Sequence, residues 1–399
     1  MTGRSIVAAS IGVVAAVIVA GCSGDPAPSP DIVRDPIPET VQAVPDSASR
    51  GALVSVEPLS DAQPTLLAAS SKAVRGTYVS TDPRTTEPVR VTGTFFVPRT
   101  PPPPAGWPVI SFAHGTTGAT NGCGLSGSAD LRGYAGAIAG LLTGGFAVAV
   151  TDYRGLGPDG VHLYLDPASA AYDVIDAARA LRRLAPAAST RWLAYGDSQG
   201  GQAVWSAAEL DSTYGAGMTM VGALATKPAA NITAFADLAE RKALSAQQRE
   251  VAALVAQGAA RASNGSLTLG SLLPDVSAAQ LRDLVGCDVA ARQRTVDALG
   301  SAGLAPRADA VDAYTTQLRR EALPQRRSAV PVRVVYGLDD TLIPPAWVTA
   351  PIAQACAMGS AVYPRAVPGK GHADALLDAS DLQWVGQRFA GQTPAGACP

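Results

Sequence analysis

Trp192-Leu193-Ala194-Tyr195-Gly196-Asp197-Ser198-Gln199-Gly200-Gly201-Gln202-Ala203-Val204-Trp205 passes from a short apolar run, through a glycine turn, into a segment patterned as a helix. In that setting Gly196-Asp197-Ser198-Gln199-Gly200, a G-x-S-x-G, reads as a nucleophile elbow: a serine on a sharp turn, its oxygen exposed at the end of a parallel strand. Bulky residues two positions to either side of the serine would clash in so tight a turn, which accounts for Gly196 and Gly200. The amino end of the following helix favours negative charge developing beside it. The motif alone arises by chance in a chain with 40 glycines. Its place between a strand and a helix is what makes it specific.

On both sides of this corner the alternation of strand and helix recurs. Val89–Val97 alternates and is rich in β-formers. Pro108–Ala113, Gly145–Val150, Val221–Ala225 and Val332–Tyr336 are continuous apolar runs, and Ala361–Val367 is strand-like. Such runs suit parallel strands buried on both faces. The clearest helix is Ala168–Leu184, where Ala171, Val174, Ile175, Ala178 and Leu181 share a face. Asp166 can cap it, Pro167 fits its first turn and Pro186 ends it. The pattern implies an α/β fold, a mostly parallel central sheet flanked by helices. From about 229 to 329 the pattern is helical only, and Ser245…Gln248 and Ser277…Gln280 both match capping boxes. This stretch is read as a helical cap, or lid, inserted over the carboxyl edge of the sheet. One more run of covering helices and a separately folding helical domain are the other two readings.

A serine nucleophile needs a base, and with three histidines in the chain elimination is effective. His372, in Gly369-Lys370-Gly371-His372-Ala373-Asp374, follows the serine near the carboxyl end, as the order Ser…Asp…His requires. His114 ends an earlier strand beside Gly115, and His162 follows a turn; the first is read as structural, the second as structural or pocket-lining. The acid should follow a late strand. Val332–Tyr336 leads into Gly337-Leu338-Asp339-Asp340-Thr341-Leu342-Ile343-Pro344, where the spacing G-x-x-D-x-x-x-P selects Asp340 over Asp339. Asp340 would hold the imidazole tautomer and stabilise the imidazolium; Asp339 would be a solvated or turn-capping carboxylate. Two backbone donors are expected to form an oxyanion hole: the amide of Gln199, and that of Thr116 or Thr117 in the loop after His114, where a threonine hydroxyl can add a bond. Gly155-Leu156-Gly157-Pro158-Asp159-Gly160 matches G-x-G-x-x-G, but Pro158 and the residues up to Pro167 delay the helix whose amino end a dinucleotide site requires. No cofactor and no metal site are expected.

The 399 residues are 47% hydrophobic and 16% charged, with a formal net charge of −2. That is too apolar for a disordered chain and too balanced for a nucleic-acid binder. Residues 1–21 read as a signal peptide: Arg4, then a weakly polar stretch from Ile6 to Gly21, shorter than the ~20 residues a membrane-spanning helix needs. The stretch ends in Val19-Ala20-Gly21-Cys22, which resembles a bacterial lipobox with Cys22 as the acylated residue. Residues 22–46, rich in proline and serine, suit an extended tether. Residues 47–399 form the catalytic domain. An exported chain, a cell-envelope lipoprotein or a secreted protein, is expected. Cys123, Cys287, Cys356 and Cys398 then make an even set for two disulfides. Three connectivities are open. Cys123–Cys287 with Cys356–Cys398 is favoured, the second fastening the carboxyl terminus.

Ala113-His114-Gly115-Thr116-Thr117-Gly118, Thr151-Asp152-Tyr153-Arg154-Gly155-Leu156-Gly157, Gly196-Asp197-Ser198-Gln199-Gly200-Gly201 and Gly371-His372-Ala373-Asp374 together resemble the secretory lipase family, of lipase-A type. The resemblance covers roughly Val74 to Cys398. It is specific because Asp-Tyr-x-Gly-Leu-Gly followed by His-x-Tyr-Leu is not general to α/β-hydrolases. It implies an α/β-hydrolase core with a helical cap, no cofactor, and hydrolysis of carboxylic esters of lipids or smaller acyl groups. It supports Ser198, Asp340 and His372 as the triad, Gln199 with Thr116 or Thr117 as the oxyanion hole, and the Cys123–Cys287 pairing. Two departures stand out: Asn121-Gly122-Cys123-Gly124-Leu125 around the first cysteine, and Asp197 where the family commonly has tyrosine. An acyltransferase or peptidase on the same triad is the alternative enzyme, and a lipoprotein that only binds an acyl ligand is the non-enzyme. The expected partners are a small-molecule or lipid ester and, through a lipidated Cys22, a membrane; no nucleic acid is expected, and the chain is read as a monomer.

Overall fold

The computed structural model describes residues 49–393 and 396–398. The signal peptide, Cys22 and the tether read from the sequence lie outside the described residues. Nine strands occur among the described residues: β1 (Leu53–Pro58), β2 (Ser70–Thr81), β3 (Pro88–Pro98), β4 (Trp107–Ala113), β5 (Ala147–Thr151), β6 (Ala188–Asp197), β7 (Thr219–Thr226), β8 (Val332–Gly337) and β9 (Val362–Val367). The helices are α1 (Pro64–Ala69), α2 (Ala135–Thr143), α3 (Pro167–Leu184), α4 (Gln199–Tyr214), α5 (Phe235–Glu240), α6 (Ala246–Ala262), α7 (Leu269–Leu272), α8 (Ala278–Val285), α9 (Val289–Leu299), α10 (Val311–Glu321), α11 (Ala346–Ala357) and α12 (Ala379–Phe389).

The strands form one sheet in the order β1-β2-β3-β5-β4-β6-β7-β8-β9. The first four pair antiparallel and the rest parallel. The apolar runs of the sequence are the central parallel strands, and their burial explains the lack of polar alternation: every residue of β5 is buried. Successive side chains on β4 go to opposite faces. Val109 and Ala113 join the core with Ala171, Val174 and Val204 of α3 and α4, whereas Ile110 and Phe112 pack on the other face, in clusters that include Ile138 of α2 and Trp384 of α12.

Helix α3 forms as its sequence dictates. The Asp166 side chain accepts from the Ser169 amide at 2.8 Å, Pro167 opens the first turn, and the helix stops before Pro186. β7 and β8 are separated by helices only, α5 to α10. Both capping boxes form, at Ser245 with Gln248 and at Ser277 with Gln280.

This helical insertion is tied to loops at the carboxyl ends of the strands. Arg261 on α6 donates to the carbonyls of Ala119 and His162, at 3.0 and 2.9 Å. Arg292 on α9 donates to the Thr117 carbonyl. The Ser245 hydroxyl and Gln248 amide reach the carbonyls of Thr341 and Leu342.

Cys356 and Cys398 are bonded, with Cα atoms 5.6 Å apart. The bridge expected between Cys123 and Cys287 is not made; both are thiols. The two thiols lie against each other, and each also has a further partner. Cys123 meets the Thr120 hydroxyl at 3.3 Å, and Cys287 accepts from Arg132 at 3.3 Å and faces the Gly122 carbonyl. Burial and the adjacent Cys287 thiol push the Cys123 thiol up.

Candidate active site

The elbow forms where β6 ends and α4 begins. Ser198 is the residue between them, at φ 55° and ψ −111°, a strained conformation for a non-glycine residue. The flanking glycines are required by space. A Cβ at Gly196 would lie 2.2 Å from the Gly200 carbonyl oxygen, and one at Gly200 would lie 1.9 Å from the oxygen of Ala113. The Ser198 amide donates to the Thr226 carbonyl at 2.8 Å, and the serine is 9% exposed.

His372 reaches this serine from the loop after β9. Its Nε2 lies 2.9 Å from Ser198 Oγ and its Nδ1 lies 2.7 Å from Asp340 Oδ2. Asp340 follows β8, and its other oxygen, Oδ1, accepts from the amides of Leu342 and Ile343 at 2.9 and 2.8 Å. The two amides fix the carboxylate and leave Oδ2 to receive the imidazole N–H. That puts the proton on Nδ1 and a lone pair on Nε2 facing the serine hydroxyl. Asp339, by contrast, is exposed.

The residues read as oxyanion donors are close to this corner but are used unequally. Among the described residues, the amides of Thr116, Thr117 and Gln199 have no acceptor. Both threonine hydroxyls are engaged elsewhere, Thr116 Oγ1 with the Tyr164 hydroxyl at 2.7 Å and Thr117 Oγ1 with the Cys123 carbonyl at 2.8 Å. The Thr117 hydroxyl donates inside the fold, whereas Thr116 Oγ1 can accept from Tyr164 and keep its own proton to give.

His162 has a part that its sequence position did not reveal. Its Nδ1 faces the Arg154 carbonyl at 2.9 Å and its Nε2 faces the Gln199 side-chain amide at 3.0 Å. Burial lowers its pKa to about 3, so the ring is neutral. Nδ1–H donates to Arg154, and Nε2 accepts from Gln199. His162 thus orients Gln199, the residue after Ser198. His114 is wholly buried, with Nδ1 2.6 Å from the Gly115 carbonyl oxygen, and burial lowers its pKa.

Gly155–Gly160 is a folded-back loop, and α3 starts only at Pro167, so the motif does not open that helix. Gly155 adopts φ 77°, and a Cβ there would lie 2.1 Å from the His162 amide nitrogen. Asp152 at its entrance is buried and accepts from the Thr92 hydroxyl, the Ser126 amide and the Ser126 hydroxyl. These groups brace the loop. Among the described residues no cluster of His, Cys, Asp and Glu could hold a metal ion.

The family model of the secretory lipases matches residues 134–260. A search of curated proteins by sequence returned no match. Among solved structures, the chain is similar to Candida antarctica lipase A in its closed state, with a TM-score of 0.67 and 17% identity over 88% of this chain and 84% of that one. It is also similar to the rice cell wall degrading esterase LipA from Xanthomonas oryzae, with a TM-score of 0.63 and 20% identity over 86% and 96%. At these identities the structural likeness establishes the fold, and the family match supplies the class of chemistry. The chain has the α/β-hydrolase fold, and the match of residues 134–260 to the secretory lipase model supports an ester hydrolase.

Proposed function

We propose that the chain cleaves acyl esters through a covalent acyl-enzyme on Ser198. The observation that carries this reading is the continuous relay Ser198 Oγ–His372 Nε2 and His372 Nδ1–Asp340 Oδ2, on a strained elbow at the head of α4. Ser198 Oγ attacks the ester carbonyl carbon while His372 Nε2 takes its proton. The carbonyl oxygen becomes the oxyanion, facing the amides of Gln199 and Thr116. Thr116 is favoured over Thr117 because its neighbour Gly115 packs against Asp197, beside the nucleophile. The tetrahedral adduct collapses, the C–O bond to the alcohol breaks, and His372 returns the proton to the leaving oxygen. Water then repeats the sequence and releases the acid. Losing one oxyanion donor typically costs about 2.7–4 kcal/mol of transition-state stabilisation.

The same reading places the insertion 229–329 as a cap over the site, and residues 1–46 as an export signal, lipobox and tether. The Cys356–Cys398 bridge fits an oxidising compartment, and no helix among the described residues is long and apolar enough to cross a membrane. Ser198→Ala assayed on p-nitrophenyl esters from acetate to stearate tests the chemistry. Loss of turnover at every chain length supports it, and turnover at the wild-type rate ends it. The wild-type chain-length profile separates lipase from short-ester esterase.

A further inference from the structure

The residue before the nucleophile is an aspartate, an awkward group to place beside a developing oxyanion. Asp197 Oδ2 faces the oxyanion loop: a Cβ at Gly115 would lie 3.4 Å from it. Its other oxygen, Oδ1, meets the Thr226 hydroxyl at 2.8 Å and Lys227 Nζ at 3.0 Å. The lysine is 10% exposed and the aspartate 24%. Lys227 also sits at φ 47°, left-handed for a residue with a side chain. That turn follows the carbonyl of Thr226, which receives the Ser198 amide, and precedes Ala229, whose amide donates back to the Ser198 carbonyl at 3.3 Å. Lys227's own amide is held by the Val335 carbonyl at 2.7 Å. The segment 226–229 therefore clasps the nucleophile's backbone on both sides while its lysine reaches the carboxylate next door. The lysine charge also acts on Asp374, a carboxylate on the loop that carries His372, whose Oδ2 accepts from the Gly371 amide at 2.7 Å.

We propose that Lys227 is a positioning residue for the ester hydrolysis, neutralising Asp197 so that the carboxylate beside the nucleophile does not oppose the oxyanion. The inference rests on the Ser198 mechanism proposed above. A carboxylate within several ångströms of the reacting carbonyl, in a half-buried site, repels the oxyanion and leaves the neutral ester almost untouched. The effect of losing its counter-charge should therefore appear in kcat and spare KM. The Coulomb term at such distances corresponds to roughly a 10- to 100-fold change in rate.

The experiment is a charge cycle in the full-length protein: Lys227→Met, Asp197→Asn, the double variant, and Ser198→Ala. Lys227→Gly is added because glycine accepts the left-handed backbone without strain. Both Lys227→Met and Lys227→Gly should lose about 10- to 100-fold in kcat with KM within about twofold. Removing the carboxylate as well, in the double variant, should restore most of that loss. If the double variant is as slow as Lys227→Met, or if the loss sits in KM, the electrostatic role is wrong. Wild-type kcat in both single lysine variants would overturn it outright. Full activity in Ser198→Ala would instead overturn the mechanism beneath it.

Discussion

The chain makes a glycine-rich turn with a positive-φ residue after each of two parallel strands, β5 and β6, and gives them opposite tasks. After β6 the positive-φ residue is Ser198, its hydroxyl facing an imidazole; after β5 it is Tyr153, at φ 62°, its hydroxyl given to the His114 carbonyl at 2.9 Å. Space forbids a side chain at glycines in both, Gly200 in one and Gly155 in the other. The backbone device is the same. What differs is what comes next: α4 starts at Gln199, immediately after the serine, whereas α3 waits until Pro167. A tight turn becomes a reactive corner only when a helix amino end and a base converge on it. Otherwise it is bracing, and here one turn braces the other, since His162 joins the Arg154 carbonyl to the Gln199 side chain.

The largest effects should separate chemistry from scaffold. His372→Ala should lower kcat/KM by about 10⁴-fold or more in a folded protein. Tyr153→Phe, which removes only a hydrogen bond to His114, should change kcat/KM by less than about threefold and lower Tm. If Tyr153→Phe abolishes turnover while the fold persists, the contrast between the turns is wrong. Gly200→Ala and Gly155→Ala should behave alike, each destabilising by roughly 3 kcal/mol or more because a methyl meets backbone atoms. Urea melts of the two variants check this, and a tolerated alanine at either site would remove that turn from the comparison.

The next effect concerns the insertion's grip on α4, where the Gln202 side chain donates to the Glu321 carbonyl at 3.2 Å. Burial raises the Glu321 pKa to about 8, above its ordinary 4.5, and its carboxyl accepts from Gln317 at 2.9 Å. The folded state holds a proton that the unfolded chain has released, so this group takes stability away as pH rises from 4.5 towards 8. Glu321→Gln keeps an acceptor for Gln317 and should stabilise the fold by on the order of 3 kcal/mol at pH 7. The gain should fade below pH 4.5, as seen in melts across pH.

His162 supplies the smallest effect and the one that most directly probes the link between the turns. Its folded pKa of about 3 lies below the ordinary 6.5. The unfolded chain binds a proton that the fold excludes between those values, so stability falls as pH drops through that window. At pH 5 the penalty is about 2 kcal/mol. His162→Gln should flatten this acid loss and lower kcat by disturbing Gln199. An unchanged acid slope would contradict the buried neutral ring.

Much of this architecture was legible in the sequence for a physical reason. Strands buried on both faces leave unbroken apolar runs, and a chain with three histidines leaves few choices of base. Asp340 was legible because the turn that fixes one of its oxygens has a regular spacing. The antiparallel pair β1–β2 was not, because the buried positions of β2 include Gly76 and Ser80, which break the apolar alternation. The parts of His162 and Lys227 were invisible for a different reason. Each acts on a residue dozens of positions away in the chain, brought near by a left-handed turn whose side-chain consequences no local pattern encodes. The cysteines divide in the same way: the terminal pair is bridged, and the pair across the insertion stands as thiols.

The central claim, that Ser198 is the group acylated during turnover, is tested most directly by reacting the purified protein with a fluorophosphonate and mapping the adduct by peptide mass spectrometry. The account predicts one adduct per chain on Ser198, lost in Ser198→Ala and slowed in His372→Ala. An adduct on another residue, or full ester hydrolysis by a protein that Ser198 does not let the probe label, would contradict it.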